Sequence, residues 1–225
     1  MNCLVTLNLN DYLPALARES LQAAALRWGV TYLEITEPLA DIHHFWQKAL
    51  MPACPQVASF ERVLQLDGDM LIRSDCPNPF DFVPPDLFGV VSRVQPGRPR
   101  HIARLAAGRR TARLLELPMY RHGTEHINAG FMLYNTSLHA DLLNAWQQVG
   151  RQHNWPKVPF PEQVALSCIL AQSPGRVMWL PWQFNTCSVN MRFPSGRMQA
   201  FIYHLHRPHP HGLQRHLERY QWNLS

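Results

Sequence analysis

No stretch of this 225-residue sequence stays apolar over the roughly 20 residues a bilayer-spanning helix needs, which excludes a helical integral membrane protein. The opening Met1-Asn2-Cys3-Leu4-Val5-Thr6 lacks the charged region and cleavage site of a secretory signal and runs straight into a strand-like pattern. Cysteine is scarce. The five present (Cys3, Cys54, Cys76, Cys168, Cys187) are odd in number and form no CxxC pair. That excludes a zinc knuckle and a disulfide framework, and it is the pattern expected of reduced thiols in the cytoplasm. Leu7 to Leu13 holds no glycine, so the glycine-rich phosphate loop of a nucleotidyltransferase is missing from the N-terminus. Internal repeats and low-complexity linkers are absent too, and the length suits one α/β domain with a sizeable core. Acidic residues, 16 against 21 Lys and Arg, leave a net charge of +5. A basic surface suits nucleotides, nucleic acids or acidic lipid headgroups without choosing among them.

Proline is plentiful, with 19 residues, so short helices and many loops are expected. Cys3 to Asn8 reads as a first strand. Asp11 stands where it can cap a helix whose apolar residues recur from Tyr12 to Trp28, stopped by Gly29. Thr31 to Thr36 is a second strand, and Asp41 to about Leu50 a second helix ended by Pro52 and Pro55. Then comes Arg62-Val63-Leu64-Gln65-Leu66-Asp67-Gly68-Asp69-Met70-Leu71-Ile72, read as one buried strand carrying two carboxylates. Residues two apart on a strand share a face, so Asp67 and Asp69 converge, and Gly68 leaves the backbone open to close approach. Two carboxylates this close repel unless a hard cation such as Mg²⁺ or Mn²⁺ neutralises them. Taken alone, Asp-Gly-Asp reads equally well as the cap of a turn.

Phe88 to Val94 is another buried strand. Residues 95–126 form a basic insertion or flap between a nucleotide-binding half, 1–94, and a second half, 127–225. The arginines 93, 98, 100, 104, 109, 110, 113 and 121 mark it, and Ile102 to Leu117 reads as an amphipathic helix or mobile flap. It is either a solvated face or a contact for acceptor or membrane surface. It lacks the run of interleaved aromatics that base stacking uses, which argues against nucleic acid. Ile127 to Asn135 is a core strand. A helix follows from Ser137 to about Gln152, with Leu138, Leu142, Ala145, Trp146 and Val149 inward, and Pro161 opens another. Val177 to Leu180 is a strand, Trp182 to Asn185 a tight loop, Phe201 to Leu205 a last strand and Leu213 to Trp222 a short helix. Histidine at His204, added to two carboxylates, favours Mn²⁺ over Mg²⁺.

The order Asp67-Gly68-Asp69, Asn128-Ala129-Gly130, Glu162-Gln163, Leu180-Pro181-Trp182-Gln183-Phe184-Asn185 and Ile202-Tyr203-His204 resembles the family-eight glycosyltransferases, the glycogenin-like and lipopolysaccharide galactosyltransferase-like enzymes. The resemblance runs from Val5 to about Pro210. It implies the GT-A nucleotide-diphospho-sugar transferase fold, an α/β domain with a mainly parallel central sheet flanked by helices. It also implies transfer of a hexose from a UDP-sugar to a glycan, lipid-linked or protein acceptor, with the anomeric configuration retained. On that resemblance Thr6, Leu7 and Asn8 line the base pocket and Tyr12 stacks on the uracil. Asp67, Asp69 and His204 hold Mn²⁺ or Mg²⁺, and Asp67 also contacts the ribose. The Asn128-Ala129-Gly130 segment belongs to the donor pocket, with Asn128 holding the sugar. Glu162 bonds its hydroxyls, Gln163 sits by the anomeric carbon, and Lys48 matches a basic residue that contacts the donor.

The sequence departs from the family in two places. The family usually has Asp where Glu162 stands. After the metal histidine the family carries a Gly and then Lys-Pro-Trp to grip the diphosphate, whereas this chain reads His206-Arg207-Pro208-His209-Pro210-His211-Gly212. Arg207 or His206 would then supply the positive charge. A binding protein that keeps the fold but has lost turnover, or a metal-dependent nucleotidyltransferase, are the other functions compatible with these residues. A cytoplasmic location, with peripheral contact at the inner face of the membrane, is the corresponding expectation.

Overall fold

In the computed structural model, residues 1–9, 13–93, 100–119, 126–154, 158, 160–187 and 200–205 are described. A six-stranded sheet forms the centre. Its strands are β1 (Asn2–Leu7), β2 (Thr31–Ile35), β3 (Arg62–Asp67), β5 (Phe88–Ser92), β6 (Ile127–Asn135) and β7 (Val177–Leu180), in the order β2-β1-β3-β6-β5-β7. Only β6 runs against its neighbours, so the sheet is mostly parallel. A second, three-stranded sheet, β4-β9-β8, joins β4 (Met70–Ile72), β9 (Ile202–His204) and β8 (Thr186–Cys187).

Alternation along the strands explains the layering. Leu4, Leu64, Leu66, Phe131 and Leu133 face one side and pack on Ala17, Leu21, Ala24 and Ala25 of α1 (Ala15–Trp28) and on the small sheet. Cys3, Val5, Val63, Met132 and Tyr134 face the other. There they meet α2 (His44–Leu50), α6 (Ala140–Gln152) and α7 (Pro161–Ala171) through Trp46, Trp146 and Leu166. Two one-turn helices, α3 (Pro55–Ala58) and α4 (Pro79–Phe82), fill connections, and α5 (Arg100–Leu114) packs Ala112 on Val164 and Cys168 of α7.

Ile127–Asn135, Val177–Leu180 and the helix opening at Pro161 lie where the sequence places them, and Gly29 ends α1 in the left-handed conformation at φ 65°. Elsewhere the structure corrects the reading. The aspartate segment is two strands in two sheets. β3 pairs with β1 as far as Leu7 opposite Asp67, and the chain then turns through Gly68-Asp69 so that Met70 pairs with His204. Gly68 opens toward the protein itself. A Cβ there would lie 2.9 Å from Leu13 Cδ1 and 3.3 Å from the Leu7 carbonyl oxygen. Helix α2 begins at His44, not Asp41, because the Gln47 amide holds residues 39–42 as a loop, bonding the Leu39 N–H and the Ala40 and Ile42 carbonyls. Leu138 is exposed, since Asn135 Oδ1 accepts from the N–H groups of Ser137 and Leu138 and makes that segment a turn ahead of α6. The expected flap is a helix over Arg100–Leu114 in its described part. Asp11, Tyr12, His206, Arg207 and the helix expected over 213–222 lie outside the described residues.

Candidate active site

The carboxyl end of β3 and the turn after it carry the two aspartates to a common point, and β9 brings His204 to the same place. His204 Nε2 lies 3.1 Å from Asp69 Oδ1 and 3.5 Å from Asp67 Oδ2. One ligand atom from each of the three falls within 4.8 Å of the others. The break between β3 and β4 is what makes this possible: Asp69 is tied to the small sheet by its carbonyl, which accepts from the Leu205 N–H at 2.9 Å. Gly130 on β6 forms the floor. A Cβ at that position would lie 2.7 Å from Met70 Cε, 2.8 Å from His204 Cε1 and 3.0 Å from Asp67 Oδ2. Glycine there keeps the three side chains from being pushed apart. Two hard oxygen donors and one imidazole nitrogen, converging over a residue without a side chain, fit a divalent cation of the Mn²⁺ or Mg²⁺ kind.

Lys48, one turn from the C-terminus of α2, ion-pairs with Asp67 through Oδ1. Burial alone would lower its pKa, but Asp67, Glu162 and Asp69 outweigh this and hold the ammonium above its ordinary range. Glu162, in the first turn of α7, is 2% exposed. Burial raises its pKa to about 7; Lys48 pulls it down and Asp67 pushes it up. Its Oε2 is buried without a hydrogen-bond partner among the described residues. A buried carboxylate oxygen in that condition is costly unless a ligand supplies a donor.

Gln163 is held at both ends. Its Oε1 accepts from the Ala129 N–H at 3.2 Å, and its Nε2 lies 3.4 Å from His126 Nε2. Ser167, one turn on, donates to the Gln163 carbonyl at 2.7 Å and accepts from the Ile127 N–H at 3.1 Å, clamping α7 to β6. Asn128 Oδ1 accepts from the Gly130 N–H at 3.1 Å and its Nδ2 donates to Asn185 Oδ1 at 3.4 Å. Asn128, Ala129, Gly130, Glu162, Gln163, Lys48, Asp67, Asp69 and His204 therefore form one connected site.

Thr6, Leu7 and Asn8 end β1 beside it, Leu7 in register with Asp67. Thr6 donates from Oγ1 to the Leu66 carbonyl at 3.0 Å. Asn8 is buried and already occupied: Nδ2 donates to Glu34 Oε1 at 2.6 Å and Oδ1 accepts from the Leu13 N–H at 2.7 Å. Asn185, His126 and Ser167 carry no assignment from the sequence, and neither does Glu34. Only the spacing of Gln163 and Ser167 by one helical turn was a visible sign.

The mostly parallel sheet with its single reversed strand, flanked by helices, is the GT-A fold of solved glycosyltransferases. Solved structures share it. A glycosyltransferase involved in the glycosylation of the major capsid of PBCV-1 is similar at 14% identity and TM-score 0.63, over 96% of this chain and 98% of that one. The galactosyltransferase LgtC, solved with donor and acceptor sugar analogues, is similar at 14% identity and TM-score 0.58, over 98% of this chain and 94% of that one. Mouse xyloside xylosyltransferase 1 is similar at 17% identity and TM-score 0.53, over 93% and 100%. No family model and no curated protein matches the sequence. Among the described residues no helix is long and apolar enough to cross a membrane.

Proposed function

We propose that the chain is a retaining glycosyltransferase of the family-eight type, moving a hexose from a UDP-sugar to a glycan, lipid-linked or protein acceptor. The observation that carries this reading is the convergence of Asp67, Asp69 and His204 at the carboxyl end of β3, in a fold shared with glycosyltransferases. Open α/β sheets take their ligands at that end.

Asp67, Asp69 and His204 hold the divalent ion. Bound there, it supplies Lewis-acid stabilisation of the charge that grows on the leaving diphosphate. Lys48 adds a second positive charge beside Asp67, and Arg207 or His206 would supply the positive charge that grips the diphosphate. The unpartnered Glu162 Oε2 accepts a hydrogen bond from a sugar hydroxyl. Asn128 and Gln163, both fixed by their neighbours, border the sugar with Ala129 and Gly130. Thr6, Leu7, Asn8 and Tyr12 take the base. The bond from the anomeric carbon to the diphosphate oxygen breaks and UDP leaves with the electron pair. The acceptor oxygen bonds to the carbon on the same face and its proton passes to the departing phosphate. Gln163 is a poor nucleophile, which supports this route over a covalent intermediate. The exposed Arg109, Arg110 and Arg113 on α5 suit an anionic membrane face at a cytoplasmic location.

Calorimetric titration with UDP, with and without Mn²⁺, tests the donor assignment. Metal-dependent binding that disappears in Asp69→Asn is expected, followed by hydrolysis of a UDP-hexose in a donor screen. No UDP binding under either condition would remove the assignment. Binding without hydrolysis or transfer would make the chain a nucleotide-sugar binding protein.

A further inference from the structure

The Leu180-Pro181-Trp182-Gln183-Phe184-Asn185 stretch enters the site through one side chain, Asn185, which has no task in the proposed chemistry. Asn185 is 4% exposed and follows the short 3₁₀ turn Trp182–Phe184, with its N–H donating to the Trp182 carbonyl at 3.1 Å. Its Nδ2 donates to the Asn128 carbonyl at 3.4 Å. That bond fixes which end of the amide is oxygen. Asn185 Oδ1 then faces two atoms at once, His204 Nδ1 at 3.3 Å and Asn128 Nδ2 at 3.4 Å.

An amide oxygen has only lone pairs to offer, so both atoms facing it must be donors. His204 therefore carries its ring proton on Nδ1. Its Nε2, 3.1 Å from Asp69 Oδ1 and 3.5 Å from Asp67 Oδ2, faces the two carboxylates, so it donates to them while no cation is bound and is the atom that would ligate one once that proton is released. A histidine in water prefers the opposite arrangement, with the proton on Nε2, which cannot ligate through that atom. The same oxygen turns the Asn128 amide so that Asn128 Oδ1 meets the Gly130 N–H. Asn128, Asn185 and His204 are all buried, so these bonds form with little competition from water.

We infer that Asn185 is a positioning residue whose one amide oxygen sets both the tautomer of His204 and the orientation of Asn128. Metal-ligating histidines depend on such partners to fix the tautomer and ring. Here the partner also reaches the residue expected to hold the donor sugar, so the metal ligand and the sugar clamp are settled together. The consequence for metal rests on the proposed function; the bond from His204 Nδ1–H to Asn185 belongs to the metal-free protein.

Long-range ¹H–¹⁵N spectra of the metal-free protein at pH 8 read the tautomer directly, with the His204 signal identified by its loss in His204→Asn. A proton is expected on Nδ1 in the parent and in Asn185→Asp, which keeps an acceptor there, and is expected to be lost from Nδ1 in Asn185→Leu. Mn²⁺ affinity measured by electron paramagnetic resonance is expected to fall about 10–100-fold in Asn185→Leu and to be largely kept in Asn185→Asp. A parent His204 without a proton on Nδ1, or an Asn185→Leu protein that keeps one there, would overturn the inference. The parent spectrum decides the tautomer even if Asn185→Leu does not fold. An Nδ1-protonated His204 in a protein that binds no Mn²⁺ would remove the metal reading and leave the positioning role standing.

Discussion

Two clusters of charge lie at the carboxyl ends of strands in the same sheet, and they are built in opposite ways. Around Glu34, at the end of β2, each oxygen is met by donors. Oε1 accepts from Asn8 Nδ2 at 2.6 Å and Arg18 Nη2 at 2.8 Å; Oε2 accepts from Arg18 Nε at 2.9 Å and the Tyr32 hydroxyl at 3.1 Å. The Arg18 fork, first among these, holds the Glu34 carboxyl below its ordinary pKa, and burial only partly offsets it. At the end of β3, among the described residues, three carboxylates (Asp67, Asp69, Glu162) gather around Lys48 and His204, and a Glu162 oxygen is left without a hydrogen-bond partner. A satisfied polar network is scaffold. An under-neutralised one of the same residue types is stable only to the extent that something from outside completes it.

Substitutions that separate the clusters test this difference. Asp69→Asn should weaken Mn²⁺-dependent UDP binding by at least the roughly 100-fold that marks the upper end for losing a mere outer-shell partner. It should leave metal-free stability in urea unchanged or raised, because a repulsive charge is gone; a clear loss of stability would make Asp69 scaffold. Gly130→Ala should cost about 1–3 kcal/mol by overpacking against Met70 and His204 and should lower Mn²⁺ affinity as well. Glu34→Ala should cost about 1–3 kcal/mol in urea unfolding by stranding Arg18 and Asn8, yet leave Mn²⁺ binding intact. Loss of metal binding in that variant would merge the two clusters into one.

An effect of similar size is expected in pH. The Glu162 carboxyl titrates near 7 when folded against an ordinary 4.5. Its folded state prefers the protonated form, so the stability it contributes is full below the unfolded pKa and is lost as pH rises through about 7. The metal-free parent should therefore lose on the order of 1–3 kcal/mol between pH 5 and pH 8 that Glu162→Gln does not lose. Identical pH profiles for the two proteins would contradict the dominance of burial over Lys48 at this group.

What could be read in advance follows from the range of the interactions. Ile127–Asn135 was legible because nine buried residues form an apolar run bounded by polar ones. The break at Gly68-Asp69 was not: residues on both sides are equally apolar, and the second strand belongs to another sheet only because its partner comes from residue 202 onward. Asp67, Asp69 and His204 stood out because two carboxylates and a histidine at strand ends have few innocent uses. Asn185, quoted only as the end of a motif, and His126 gave no sign of their roles, since the groups they contact lie up to 57 and 37 residues away and a single amide or imidazole has no signature of its own. Glu34 was missed because its role depends on Arg18 and Asn8 reaching it from two other elements.

The turn between β3 and β4 has a thermodynamic side. Asp67 is part of the large sheet, whereas His204 belongs to the small one, whose strands come from three distant parts of the chain, and Asp69 sits in the turn tied to it through Leu205. An ion held by all three would be a cross-link between sheets, and its binding free energy would be credited to their docking through mass action. Ion binding would thus lower the equilibrium population in which the small sheet stands open, so that scarcity of the ion would be felt as lost docking between the sheets.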